Sequence, residues 1–154
     1  MLHLALYQPE IPPNTGNLIR LCANTGTALH LVKPLGFSMS DPALRRAGLD
    51  YHEYASVQIH ESLDALRAAL PQARVLAFST RGETRYDQVN YRTGDLLLFG
   101  PETKGLSREV LAAIPEEQRV HLPMRTGSRS LNLANAASIV VYEAWRQLDF
   151  SGAS

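Results

Sequence analysis

Leu96-Leu97-Leu98-Phe99 sets four large apolar side chains in succession between Asp95 and Gly100. Neighbouring side chains of a strand point to opposite faces, so this strand must be covered on both sides. A mainly parallel sheet with helices on both faces meets that requirement, and the rest of the chain alternates accordingly. Leu2 to Tyr7, Ala28 to Lys33, Ser56 to His60, Arg74 to Ser79, Asp95 to Gly100 and Val120 to Leu122 read as strands. Asn14-Thr15-Gly16 opens a helix to about Thr25, with Asn14 or Thr15 as N-cap and Gly26 as the stop. Ser40-Asp41-Pro42 starts a second helix, Glu61 to Leu70 forms a third, and Ser107 caps a short one through Ile114. Thr80 to Gly94 and Met124 to Ser130 are expected to be loops. The final helix is expected over Leu131 to Leu148, capped by Ser130. The pattern is that of an α/β domain. A single domain over residues 1–154 is expected, with the tail frayed from about Ser151.

The last helix is apolar nearly all round: Leu131, Leu133, Ala134, Ala137, Ile139, Val140, Val141, Ala144, Trp145 and Leu148 leave little polar face. It is either the central core helix or partly covered by a second subunit, and the smallness of the domain favours a dimer. The single cysteine, Cys22, cannot form an internal disulfide and sits in an apolar helical run, where a small core residue fits better than a nucleophile. The N-terminus lacks a basic segment and soon meets Pro9, Pro12 and Pro13, so no signal peptide is expected, and no apolar run is long enough to span a bilayer. A cytoplasmic protein is expected. Net charge is zero, from 15 basic and 15 acidic side chains, but the distribution is uneven. No acid occurs between Glu10 and Asp41, or between Glu117 and Glu143, and the second window holds Arg119, Arg125 and Arg129. Arginine is the better fork for phosphate and the better stacking cation.

Familiar nucleotide and hydrolase fingerprints are absent: there is no GxGxxG, no GxxxxGK[ST] and no GxSxG. His3, His30, His52, His60 and His121 show no metal-ligand spacing, and no metal is expected. Three polar or glycine-rich clusters remain, each at the edge of a predicted strand, where open α/β sheets bind ligands. The first is Asn14-Thr15-Gly16-Asn17-Leu18-Ile19-Arg20; helix-start amides suit an anion, and Arg20 lies nearly two turns beyond Asn14. Second comes Gly100-Pro101-Glu102-Thr103-Lys104-Gly105-Leu106, in which Gly100 permits close backbone approach and Glu102 is a polar anchor. The third is Ser128-Arg129-Ser130-Leu131-Asn132-Leu133-Ala134-Asn135-Ala136, whose amides need partners if buried. Taken singly, each cluster is equally well a helix cap or a strand-to-helix turn.

In this order, Asn14-x5-Arg20, Gly100-Pro101-Glu102-x2-Gly105 and Ser130-Leu131-Asn132-Leu133-x-Asn135-Ala136 resemble the three motifs of the SPOUT methyltransferase superfamily, over essentially the whole chain. Tyr7-x-Pro9-Glu10-Ile11-Pro12-Pro13-Asn14-Thr15-Gly16-Asn17, Arg45-Arg46-Ala47-Gly48-Leu49-Asp50-Tyr51 and Tyr142-Glu143-Ala144-Trp145-Arg146 resemble its small branch that 2′-O-methylates the tRNA wobble nucleotide. The resemblance implies a SPOUT-type parallel sheet with a deep trefoil knot near the C-terminus, a feature that general topology rules treat as a rare exception. It implies S-adenosylmethionine as methyl donor, S-adenosylhomocysteine as product, and a homodimer whose second subunit supplies part of the site. Cofactor contacts are implied at Phe78, Gly100, Leu122 and Ser130, mostly through backbone. Arg20 is implied nearest the reacting hydroxyl, supported by Asn14, Glu102, Ser130 and Asn132. The implied substrate is cytidine or modified uridine at the wobble position, with leucine tRNAs as the first candidates. Methylation of another RNA position and a non-catalytic RNA-binding module stay open as alternatives.

Overall fold

In the computed structural model, residues 1–45 and 50–154 are described. The quoted segment Arg45 to Tyr51 therefore lies partly outside the described residues.

Strand β1 (His3–Tyr7) leads into helix α1 (Pro12–Thr25) and strand β2 (Ala28–Val32). Two short helices, α2 (Pro42–Arg45) and α3 (Tyr51–Ala55), precede β3 (Gln58–His60), α4 (Leu63–Ala69) and β4 (Val75–Phe78). The two-residue β5 (Thr84–Arg85) is followed by β6 (Leu96–Phe99), α5 (Arg108–Ala112), β7 (Arg119–His121) and α6 (Leu133–Gln147). The strands form one sheet in the order β3-β2-β1-β6-β4-β7-β5, and every recorded pairing is parallel.

The apolar runs divide cleanly between the two faces. Leu4, Leu6, Leu76, Phe78, Leu97 and Phe99 pack with Leu18, Ile19 and Cys22 of α1 and with Ala137, Val140 and Val141 of α6. Their sequence neighbours Ala5, Val75, Ala77, Leu96 and Leu98 pack with Leu66 of α4 and Leu111 of α5. This is the three-layer arrangement that the Leu96–Phe99 run demands. β6 inserts between β1 and β4, and β7 lies on the far side of β4, so the chain from β6 to β7 crosses a strand already in place before α6 returns to pack on α1.

Several boundaries differ from the sequence-based expectation. α1 begins at Pro12, with Ile11 as an N-cap that makes no side-chain bond, so Asn14 and Thr15 are buried inside the helix rather than capping it. Pro12 and Pro13 occupy its first two positions and carry no amide hydrogens, so the expected anion site on free helix-start amides is not formed. Gly26 does end the helix, in a left-handed conformation at φ 71°. At α6 the cap is Asn132, not Ser130: the Asn132 side-chain oxygen accepts from the Ala134 and Asn135 amides. α3 and β5 were not foreseen. α3 is set by a capping box between Asp50 and Glu53. Beyond α6, the indole of Trp145 donates to the Ser151 carbonyl.

Strand pairing also gathers three histidines far apart in the chain. His3 Nδ1 lies 3.0 Å from His30 Nε2, and His30 Nδ1 lies 2.9 Å from His60 Nε2. These nitrogens bond one another, and among the described residues no group of three His, Cys, Asp or Glu is arranged to hold a metal. Burial, then the charges of His3 and His60, push His30 down to about 4 from 6.5. Below pH 6.5 the unfolded chain therefore takes up a proton that the folded chain refuses until near pH 4, so stability is full above 6.5 and is lost as pH falls through this window. Urea unfolding at pH 7 and pH 5 should show the loss, and a His30→Gln protein should lose less.

Candidate active site

All strands are parallel, so their carboxyl ends lie along one edge, and the three clusters meet there. A cleft of about 200 Å³ opens beyond β4, β6 and β7. Phe78 and Phe99 end β4 and β6 and stack with ring centroids 4.6 Å apart. Leu122, Met124, Ser130 and Leu131 close one side, and residues 100–106 the other.

Gly100 fixes the shape of that wall. A Cβ on Gly100 would lie 2.3 Å from the Leu106 nitrogen and 2.4 Å from the Gly105 carbonyl carbon. Both are backbone atoms, so only glycine allows the loop to fold back this closely. Gly105 serves differently: its φ of 66° is left-handed, and nothing lies near its missing Cβ. Gly82 was not singled out in the sequence, yet a Cβ there would sit 2.4 Å from the Val120 carbonyl carbon, holding the loop after β4 against β7.

Beside the cleft, one hydrogen-bonded network joins the three clusters. The Glu102 carboxylate accepts from the amides of Glu10 and Ile11, each at 2.8 Å, and so supplies the anion at the start of α1 from 91 residues away. The Asn14 side-chain amide donates to the same carboxylate at 3.3 Å, and the Asn14 oxygen accepts from the Asn132 amide at 3.0 Å. Asn132 in turn caps α6. Glu10 returns the clasp: its carboxylate accepts from the Thr103 amide and hydroxyl, which hold it below the usual carboxylate range. An Asn14→Asp protein would lose the donor and set two carboxylates side by side, with an expected destabilisation of roughly 1–3 kcal/mol. A lowered thermal midpoint checks this.

Of the residues expected to hold the cofactor, Phe78, Gly100, Leu122 and Ser130 all line the cleft. Of those expected to act on the substrate, Glu102 and Ser130 line it, while Asn14 and Asn132 stand behind Glu102. Arg20 is not among the lining residues of its own chain. Six residues on a helix turn Arg20 about 120° away from Asn14, so the two leave α1 on different sides. Arg20 points instead to α3, where its Nε donates to Glu53 Oε2 at 2.5 Å. Glu53 and Phe99 were not foreseen; the Asp50-x-x-Glu53 spacing was the one available signal for Glu53. Cys22 is buried, and burial pushes its thiol up to about 12, which suits an inert core residue.

The cleft suits the expected cofactor. Two aromatic rings and four leucines offer apolar walls for a flat base, and the chain leaves β4, β6 and β7 beside it with backbone groups past the end of the ladder. Basic side chains, Arg81 and Lys104, stand in its lining, and Arg125 and Arg129 are exposed on the neighbouring 123–132 segment.

The cleft thus lies where β4, β6 and β7 end and is tied to α1 through the three separated motifs. The profile of the SpoU rRNA Methylase family matches residues 1–142, and the chain belongs to that family. The chain is 58% identical over 153 residues to the tRNA (cytidine(34)-2′-O)-methyltransferase of Methylovorus glucosotrophus (strain SIP3-4), covering 99% of each. A solved structure concerned with the 2-OH methylation of C/U34 on tRNA aligns over 97% of both chains at 53% identity and a TM-score of 0.90. The SpoU methyltransferase AviRb from Streptomyces viridochromogenes, solved with AdoMet, aligns at 27% identity and a TM-score of 0.79, over 99% of this chain and 59% of that one. No helix among the described residues is long and apolar enough to cross a membrane.

Proposed function

We propose that this protein transfers the methyl group of S-adenosylmethionine to the ribose 2′-hydroxyl of the wobble nucleotide of tRNA, cytidine or modified uridine, in the cytoplasm. The observation that carries the reading is the single network through Glu102, Asn14 and Asn132, which unites all three motifs beside a cleft of the right chemistry. Full-length similarity to an enzyme named for this reaction supports it.

The cofactor, when bound, supplies a methyl group already activated by a sulfonium. The protein's tasks are then positioning and handling of the hydroxyl proton. Backbone at Phe78, Gly100, Leu122 and Ser130 would hold the cofactor, and the stacked Phe78 and Phe99 would offer it an apolar surface. Glu102, Asn14 and Asn132 lock the cofactor loops to α1. Arg20 handles the hydroxyl proton in one of two ways: it orients an RNA phosphate that accepts the proton, since an arginine ordinarily stays protonated, or it is itself unusually perturbed.

The active form is a homodimer. α1 and α6 pack together, and α6 leaves Ile139 and Tyr142 more than two-fifths exposed on one face. A second copy covers this face and brings Arg20 to the cleft of its partner. Tyr142→Glu should shift the protein to a monomer in sedimentation and abolish turnover together.

Labelled S-adenosylmethionine with bulk tRNA and ribosomal RNA tests the substrate. Label in tRNA alone is the expected result; label in ribosomal RNA favours the alternative, and cofactor binding without transfer favours a binding module. Retention of tRNA should weaken with salt, log K falling by about 0.7 to 0.9 per phosphate neutralised for each decade of salt.

A further inference from the structure

We propose that Glu53 is the positioning residue for Arg20, an assignment that rests on the reading of Arg20 as the group at the reacting hydroxyl. The window around Arg20 contains no acid from residue 11 to residue 40, so α1 itself supplies no carboxylate. The structure brings one from α3. Glu53 Oε2 accepts from Arg20 Nε, and because the guanidinium is a rigid plane, fixing Nε fixes the direction of the whole fork.

Glu53 is itself held. Its amide donates to Asp50 Oδ1 at 2.9 Å, and its other oxygen accepts from the Asp50 amide at 3.4 Å. One carboxylate oxygen is thus tied to the backbone at the start of α3, and the other to Arg20. The Glu53 side chain is 15% exposed against 40% for Arg20, so the anchor is better shielded from water than the group it orients. Glu53 lies outside the cleft lining and outside the Glu102–Asn14–Asn132 network, so neither cofactor binding nor the joining of the motifs explains it. A long side chain with four free torsions gains most from such an anchor, since small misplacements at a reacting centre are costly in rate.

Glu53→Gln separates positioning from a structural role. Glutamine serves in a capping box as glutamate does, so a purely structural Glu53 predicts native turnover. The positioning role predicts a kcat lower by roughly 10- to 100-fold, with KM and Kd for S-adenosylmethionine unchanged. Single-turnover rates with excess enzyme extend the comparison to an Arg20→Ala background, where Glu53→Gln should have no further effect. Native turnover in Glu53→Gln beside a crippled Arg20→Ala would overturn the positioning role and leave Arg20 standing. A Glu53→Gln loss that multiplies onto the Arg20→Ala loss would overturn it as well. Full turnover in Arg20→Ala would overturn the reading of Arg20, and the proposal with it.

Discussion

Arg20→Ala is expected to lower kcat by roughly 10²- to 10⁴-fold, the range for losing a group that manages a proton in the transition state. The Kd for S-adenosylmethionine should not change, because the cleft proposed to hold the cofactor is lined within one chain by Phe78, Gly100, Leu122 and Ser130, whichever subunit supplies Arg20. The fold should persist at a modest cost: the Arg20 side chain is 40% exposed and its partner Glu53 15%, and Glu53 keeps its bond to the Asp50 amide when Arg20 is removed. Single-turnover methyl transfer and cofactor titration on the same sample separate the two. A protein that bound cofactor and kept full turnover would show that Arg20 does not act on the hydroxyl.

Gly100→Ala is expected to fail at the earlier step. Its methyl group would meet the backbone of Gly105 and Leu106 at 2.3 to 2.4 Å, and neither atom can swing aside as a side-chain tip could. The 100–106 loop must then move, which opens the cleft wall and displaces Glu102 from the start of α1. A loss of roughly 1–3 kcal/mol in stability is expected, together with loss of measurable cofactor binding. Gly105→Ala is the informative comparison: it meets only backbone strain, about 1–2 kcal/mol, with nothing near the added atom, so cofactor binding should survive. Calorimetric titration and thermal melts of the two variants would show whether close approach at Gly100, rather than glycine content as such, builds the site.

The layered fold was legible because consecutive apolar residues admit few alternatives: Leu96 to Phe99 needed cover on both faces and has it. The close approach at Gly100 was equally legible, since glycine beside a strand end signals it. What escaped was set by tertiary partners. Ser130 and Asn132 are both plausible caps, and only the Asn14 oxygen, 118 residues away in sequence, selects Asn132 by engaging its amide. α1 begins at its prolines rather than at Asn14 because Pro12 and Pro13 fit the first two positions, where no amide hydrogen is needed, while Glu102 ties down the Glu10 and Ile11 amides just before them. α3 is five residues long, too short for hydrophobic periodicity, so Glu53 went unnoticed although its capping box was written in the spacing. The histidine row depends on strand register, which residue spacing does not reveal.

The most direct test of the central claim uses purified protein, labelled S-adenosylmethionine and tRNA from a strain lacking this gene, followed by nuclease digestion and mass spectrometry. The account predicts one 2′-O-methyl group, at the wobble nucleotide of a small set of tRNAs, leucine tRNAs first among them. A methyl group on a base, or on a ribose elsewhere in the tRNA, would contradict it.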